Sequence, residues 1–191
     1  MKKNISDFPI RNDYPGLQKW RCDIWNFSVD CSNQVENLDK VLEVGPCLEY
    51  FSFSKILQNK TNAKIETIGI NPSNKNLFTY FGSAENMPQV ESESYNLVVC
   101  TEVLEHVKKP WKATDEIYRV TKNNGYILLT VPCNIKFHGC PDDFWRFINT
   151  QSLLMLFDKS QNLKIINSIL CGDKDFPIGI GVLLHKNENS N

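Results

Sequence analysis

The sequence predicts an α/β fold: a doubly wound, mostly parallel sheet of seven strands, closed by an antiparallel C-terminal hairpin. Three observations predict it. From Lys40 onward, short apolar runs alternate with amphipathic stretches. Two of the runs, YNLVVC (95–100) and YILLTV (126–131), are almost wholly apolar, as strands buried on both faces of a parallel sheet are. The last two, LKIINSIL (163–170) and IGIGVLLH (178–185), follow one another with only a short connection. At 191 residues, 41% hydrophobic and 23% charged, the chain has the length and composition of one ordinary globular domain.

In chain order, the first 38 residues read as an extension punctuated by Pro9, Pro15 and Gly16. Within it, Trp20, Ile24 and Trp25 fall at helical spacing and predict a helix over 17–28, packed on the core or serving as a lid. VLEVG (41–45) is the first strand, and SFSKIL (52–57) belongs to the helix after it. KIETIGI (64–70) is the second strand, stopped by Asn71-Pro72-Ser73, and LFTYFG (77–82) the third. Strands four and five are the two apolar runs already named. Between them PWKATDEIYRVTKNNG predicts a helix with Pro110 in its first turn and Gly125 as its C-terminal cap. Ala113, Ile117 and Val120 give that helix an apolar stripe, and Asp115 and Arg119 are spaced to pair on another face. INTQSLLMLFDKS predicts a further helix capped by Asn149 or Thr150. The tail KNENSN reads as disordered over 187–191.

Several function classes are disfavoured. The formal net charge is −1 and no basic stripe is visible, so a nucleic-acid partner has no electrostatic source. No apolar run approaches the length of a membrane span, and Lys2 and Lys3 are followed by no apolar signal core, so a cytoplasmic location and no membrane partner are expected. Seven cysteines without a C-x-x-C pair point to reduced thiols rather than disulfides or a closed zinc site.

In an open α/β sheet, ligands sit at the carboxyl ends of the strands, so the chemistry belongs in the loops after 44, 70, 82, 100 and 131. Glu43-Val44-Gly45-Pro46-Cys47 permits a tight turn and close backbone approach at Gly45, and the Glu43 carboxylate suits an ammonium group. VLEVGPCLEY resembles the glycine-rich first motif of class I S-adenosylmethionine-dependent methyltransferases. GSAENMP (82–88) is similar to the family's adenine-lining segment, YNLVVCTEVLEHV (95–107) to its fourth strand and turn, and EIYRVTKNNGYILLTVP (116–132) to its next helix and strand. HGCPDDFWRF (138–147) resembles a segment of a type 11-like branch acting on small and sugar-derived molecules. The resemblance runs from Lys40 to Phe157 and implies a Rossmann-like domain over 39–186 with S-adenosylmethionine as cofactor. It implies that Glu43, Gly45, Pro46 and Cys47 contact the methionine part, and that Asn71 faces the ribose. Ser83, Ala84 and Glu85 would border the adenine, and Thr101 and Glu102 would lie under the sulfonium. The chain departs from the family pattern at Cys47 and Glu49, where glycines are usual, and at Asn71 and Ser83, where acids are usual. Each charge-assisted hydrogen bond so lost costs roughly 1.5–3 kcal/mol in a dry site.

Methyl transfer from a sulfonium requires alignment and, for an alcohol or amine, a base. The candidates lie in 138–146: His138 as base, Asp142 and Asp143 to orient it or to hold hydroxyls, Arg146 as a partner for either Asp, and Trp145 as a flat apolar face. Either Asp could instead cap a short helix starting at Phe144, and Phe144 and Phe147 read as core. The three histidines look too dispersed for a metal site, and none is expected. The predicted activity is methylation of an oxygen or nitrogen of a small molecule, a sugar or glycan precursor included, by a monomer or homodimer. The alternative is a catalytically degenerate binding module on the same fold. With little inserted after the fifth strand, the N-terminal segment or a second subunit is expected to complete the acceptor pocket.

Overall fold

A computed structural model describes residues 1–8, 16–46, 52–57, 62–139, 142–158, 162–173 and 175–188. Its seven strands are β1 (Lys40–Val44), β2 (Lys64–Gly69), β3 (Tyr80–Phe81), β4 (Tyr95–Thr101), β5 (Thr121–Pro132), β6 (Leu163–Gly172) and β7 (Pro177–Lys186). They form one sheet in the order β3-β2-β1-β4-β5-β7-β6. β1 to β5 pair in parallel, whereas β7 runs antiparallel to both β5 and β6. The predicted mixed sheet with its C-terminal hairpin is therefore present.

The near-continuous apolar strands divide their residues between two cores, because successive side chains leave a strand on opposite faces. Leu42, Val44, Val98, Cys100, Ile127 and Leu129 join one core. Val41, Leu97, Val99 and Leu128 join the other. Helix α3 (Pro110–Val120) lays Ala113, Ile117 and Val120 on the first face, as its spacing predicted. On the second face lie α1 (Leu17–Gln34) and α2 (Ser54–Leu57), through Trp25, Phe27, Val29, Ile56 and Leu57. A short α4 (Thr150–Leu154) follows its cap Asn149, whose side chain accepts from the Ser152 N–H at 2.8 Å.

Helix α1 is longer than its aromatic spacing suggested, and it packs across two glycines of β7. A Cβ on Gly179 would stand 2.3 Å from Trp20 Nε1, and one on Gly181 would stand 2.6 Å from the Phe27 ring. The IGIG pattern is thus a flat seat for two helix aromatics, which any larger residue would push away.

Four details differ from expectation. Gly125 does not cap α3: the helix ends at Val120 and the chain enters β5 directly, where a Cβ on Gly125 would stand 2.8 Å from the Lys122 carbonyl and 3.2 Å from that of Asn96. The third strand shrinks to Tyr80–Phe81, because a 3-10 turn over Pro72–Leu77 takes up the preceding residues. No helix begins at Phe144, and 142–148 is irregular chain. Residues 187–188 are tied down, Asn187 N–H donating to the Asn162 carbonyl and Glu188 accepting from Asn124. Tail residues 189–191, together with Cys47, Glu49 and Cys140, lie outside the described residues. No described helix is long and apolar enough to cross a membrane.

Candidate active site

The carboxyl ends of β1, β2, β4 and β5 share one edge, and Glu43, Gly45, Pro46, Asn71, Thr101 and Glu102 lie at or just past the ends of β1, β2 and β4. Gly45 has φ +64°, a left-handed conformation that favours glycine, and its N–H donates to the Ile68 carbonyl at 2.7 Å. A Cβ there would meet the Val103 side chain at 2.6 Å, so the turns after β1 and β4 interlock through this glycine. Pro46 beside it is buried.

Glu43 is almost completely buried, and its carboxylate is fully engaged within the chain. Ser52 Oγ donates at 2.8 Å, Phe53 N–H at 2.5 Å, and Ser54 N–H and Oγ at 3.1 and 2.9 Å. Burial pushes this carboxyl up, and the Ser52, Phe53 and Ser54 bonds oppose it. Four donors use the lone pairs a carboxylate has. Glu43 thus anchors the start of α2 against β1, which fixes the ends of the intervening turn.

Asn71 is exposed just past β2, and its side-chain oxygen accepts from the Ser73 N–H at 3.0 Å. Ser83 Oγ accepts from the Glu85 N–H at 3.2 Å, and Glu85 Oε1 accepts from the Lys109 N–H at 2.7 Å. Ala84 is buried between them. A pair that the sequence did not single out as site residues holds this loop. Glu116 accepts from the Met87 N–H at 2.5 Å, while Arg119 donates to Glu116 and to the Met87 and Val90 carbonyls. The sequence spacing paired Arg119 with Asp115, whereas the guanidinium here engages Glu116, and the loop they clamp was not legible.

The turn after β4 has a different character. Thr101 is buried, and Glu102 sits at φ +55° with both carboxylate oxygens sealed from solvent and without a hydrogen-bond partner. Burial pushes its carboxyl up to about 8, against the opposing influence of Thr130 and Arg146; the Thr130 hydroxyl lies nearby without reaching hydrogen-bond geometry. Glu105 is fully buried, and among the described residues its two oxygens accept no hydrogen bond. Burial, then the neighbouring Glu102, holds its carboxyl well above the usual range.

Residues 142–149 pack against this turn through the backbone. The Phe144 N–H donates to the Glu105 carbonyl at 2.7 Å, and Trp145 Nε1 to the Val107 carbonyl at 3.0 Å. Asp143 is the organising residue, although it caps no helix. It accepts from the His138 N–H at 2.8 Å, meets His138 Nδ1 at 2.9 Å, and receives both arms of Arg146. The Arg146 guanidinium, partly offset by burial and reinforced by His138, holds the Asp143 carboxyl far below the usual range. Asp142 contributes its backbone: its carbonyl bonds His106 Nδ1. His106 and His138 stand with ring centroids 5.2 Å apart, and His106 Nε2 lies 3.4 Å from Glu105. Two of the three histidines that looked dispersed in sequence therefore converge. Phe147 is buried as predicted, but Phe144 is 45% exposed, and Trp145 meets Trp111 edge-on at 6.0 Å.

A cationic cofactor fits this edge. The Glu102 carboxylate, without a hydrogen-bond partner among the described residues, lies past β4, where a sulfonium is expected, and the left-handed Gly45 turn packs on the next residue, Val103.

Comparison with known proteins bears on the same edge. Residues 42–129 match the family described as methyltransferase domain. No curated protein matches the sequence. Among solved structures, a candidate sarcosine dimethylglycine methyltransferase from Galdieria sulphuraria is 17% identical, with TM-score 0.63 over 87% of this chain and 86% of the other. A possible histamine N-methyltransferase from Thermotoga maritima is also 17% identical, with TM-score 0.60 over 84% and 88%. The 4+2 cyclase SpnF is 12% identical, with TM-score 0.66 over 97% and 90%. The family match spans 42–129, from β1 into β5 and less than half of the chain, and the likeness to these solved structures is one of fold: a seven-stranded mixed sheet shared with methyltransferases.

Proposed function

We propose that the chain transfers the methyl group of S-adenosylmethionine to an oxygen or nitrogen of a small molecule, with a sugar-derived acceptor favoured. The observation that carries the reading is the Asp143 assembly. One carboxylate, its side chain 1% exposed, holds both His138 and Arg146. The cofactor supplies an electrophilic methyl group with a good leaving group. The protein's part is to align the acceptor and remove its proton. Asp143 fixes His138 through Nδ1, which leaves Nε2 to accept that proton. Exposed Trp111 and Trp145, edge-on to each other, offer apolar faces suited to a sugar ring. Gly45 and Pro46, with Cys47, serve the methionine end of the cofactor in this reading, Asn71 the ribose, Ser83, Ala84 and Glu85 the adenine, and Thr101 and Glu102 the sulfonium. Glu43 acts on the first turn from beneath.

A binding module without turnover is the second reading. Asn71 favours it, because its one carbonyl oxygen is already used within its own turn. SpnF, a cyclase by name, has a similar fold, and a fold alone does not dictate methyl transfer. Incubation with S-adenosylmethionine and a panel of sugar nucleotides, amines and phenols separates the two. The enzyme reading predicts acceptor-dependent S-adenosylhomocysteine, seen by mass spectrometry and lowered by His138→Ala. Tight cofactor binding with no product on any acceptor supports the binding module.

A further inference from the structure

Buried carboxylates that lack hydrogen-bond partners are costly, and their persistence calls for a ligand or cation. Glu105 is such a group, fully buried, with neither oxygen hydrogen-bonded among the described residues. One ligand atom each from Glu105, His106 and His138 lie within 4.8 Å of one another. The two rings are already oriented. Nδ1 of His106 is held by the Asp142 carbonyl, and Nδ1 of His138 by the Asp143 carboxylate. Metal-binding histidines are aimed in this way, with one nitrogen bonded to a carbonyl or carboxylate and the other left for the metal.

We propose that Glu105, His106 and His138 form a binding site for a first-row divalent cation, with one carboxylate oxygen and Nε2 of each ring as ligands. Two imidazoles and one carboxylate suit zinc, cobalt, manganese or ferrous iron better than magnesium or calcium. Arg146 is the cation close at hand, and Asp143 balances it through both arms. Glu105 and the neighbouring Glu102 then supply the negative charge that a divalent ion needs. Three protein ligands would leave coordination positions open to an acceptor oxygen, whose proton the metal would acidify and which would pass to solvent. In that state His138 is a ligand, and the metal replaces it as the means of activating the acceptor. Metal binding needs neither cofactor nor acceptor, so it stands or falls apart from the methyl-transfer reading.

The test is titration of the chelator-stripped protein with cobalt(II) alone, followed by visible absorption and calorimetry. The site predicts saturation at one equivalent, with affinity falling roughly tenfold or more in His138→Ala and Glu105→Gln. His185→Ala, outside the cluster, should bind as the unaltered protein does. Circular dichroism checks each fold, and the partly exposed His138 carries the test if Glu105→Gln does not fold. No saturable binding at millimolar cobalt, or binding unchanged by His138→Ala, would overturn the site.

Discussion

Glu43 and Glu105 are both buried glutamates at the carboxyl edge of one sheet, yet their surroundings are opposite. Glu43 accepts four hydrogen bonds from Ser52, Phe53 and Ser54. Glu66, on β2, is treated in the same way: Lys40 lies at 3.0 Å, Lys64 at 2.7 Å, and the Tyr95 hydroxyl donates at 2.7 Å. Glu102 and Glu105, after β4, have no hydrogen-bond partner. A satisfied buried carboxylate strengthens the scaffold, whereas an unsatisfied one costs stability that the scaffold must supply elsewhere. The β1–β2 side is therefore built to be rigid, and the turn after β4 holds charge in reserve for something that binds there.

Gly45→Arg should break the comparison most severely. The left-handed φ and the 2.6 Å approach to Val103 leave no room for a side chain. Cofactor affinity should fall by about 100-fold or more, over 2.7 kcal/mol, in a calorimetric titration. His138→Ala acts on the other side of the edge. Turnover should drop roughly 10²–10⁴-fold, the range for a lost general acid or base, while cofactor affinity stays within about twofold. Steady-state kinetics beside the same titration read both quantities.

Stability should sharpen the contrast in sign. Glu43→Gln places an amide donor against donors already in place and should cost about 1–3 kcal/mol in urea unfolding. Glu105→Gln in metal-free protein removes a buried, partnerless acid and should be neutral or stabilising. The smallest effect concerns acid. Burial pushes the Glu66 carboxyl up, but Lys64, Tyr95 and Lys40 outweigh it and bring it down to about 2. Because the folded value lies below the unfolded one, the stabilisation is complete above the unfolded value of 4.5 and is lost as pH falls toward about 2. Urea midpoints between pH 6 and pH 3 should fall less in Glu66→Gln than in the unaltered chain.

The fold was legible in the sequence because apolar runs such as 95–100 report burial on both faces directly. The Asn149 cap and the α3 stripe were legible for the same reason, since each is a local pattern. Gly125 misled because a glycine after an amphipathic run signals a cap, whereas here the strand begins at once and the glycine serves a close approach to Asn96. At the site, His138, Asp143 and Arg146 were read from one short segment, and the structure brings them together. Glu105 and His106 were harder to see as site residues, because their partners lie some thirty positions away and only the fold closes that distance. Glu43 was read as a ligand group, and no local pattern marked Ser52 and Ser54 as the groups that occupy it.

The central claim is that this edge binds S-adenosylmethionine, and calorimetric titration of the purified chain with that cofactor tests it most directly. The account predicts saturable binding at one molecule per chain, roughly micromolar to tens of micromolar, abolished in Gly45→Arg and retained in His138→Ala. Absence of heat and of thermal stabilisation at millimolar cofactor would contradict it, as would undiminished affinity in Gly45→Arg.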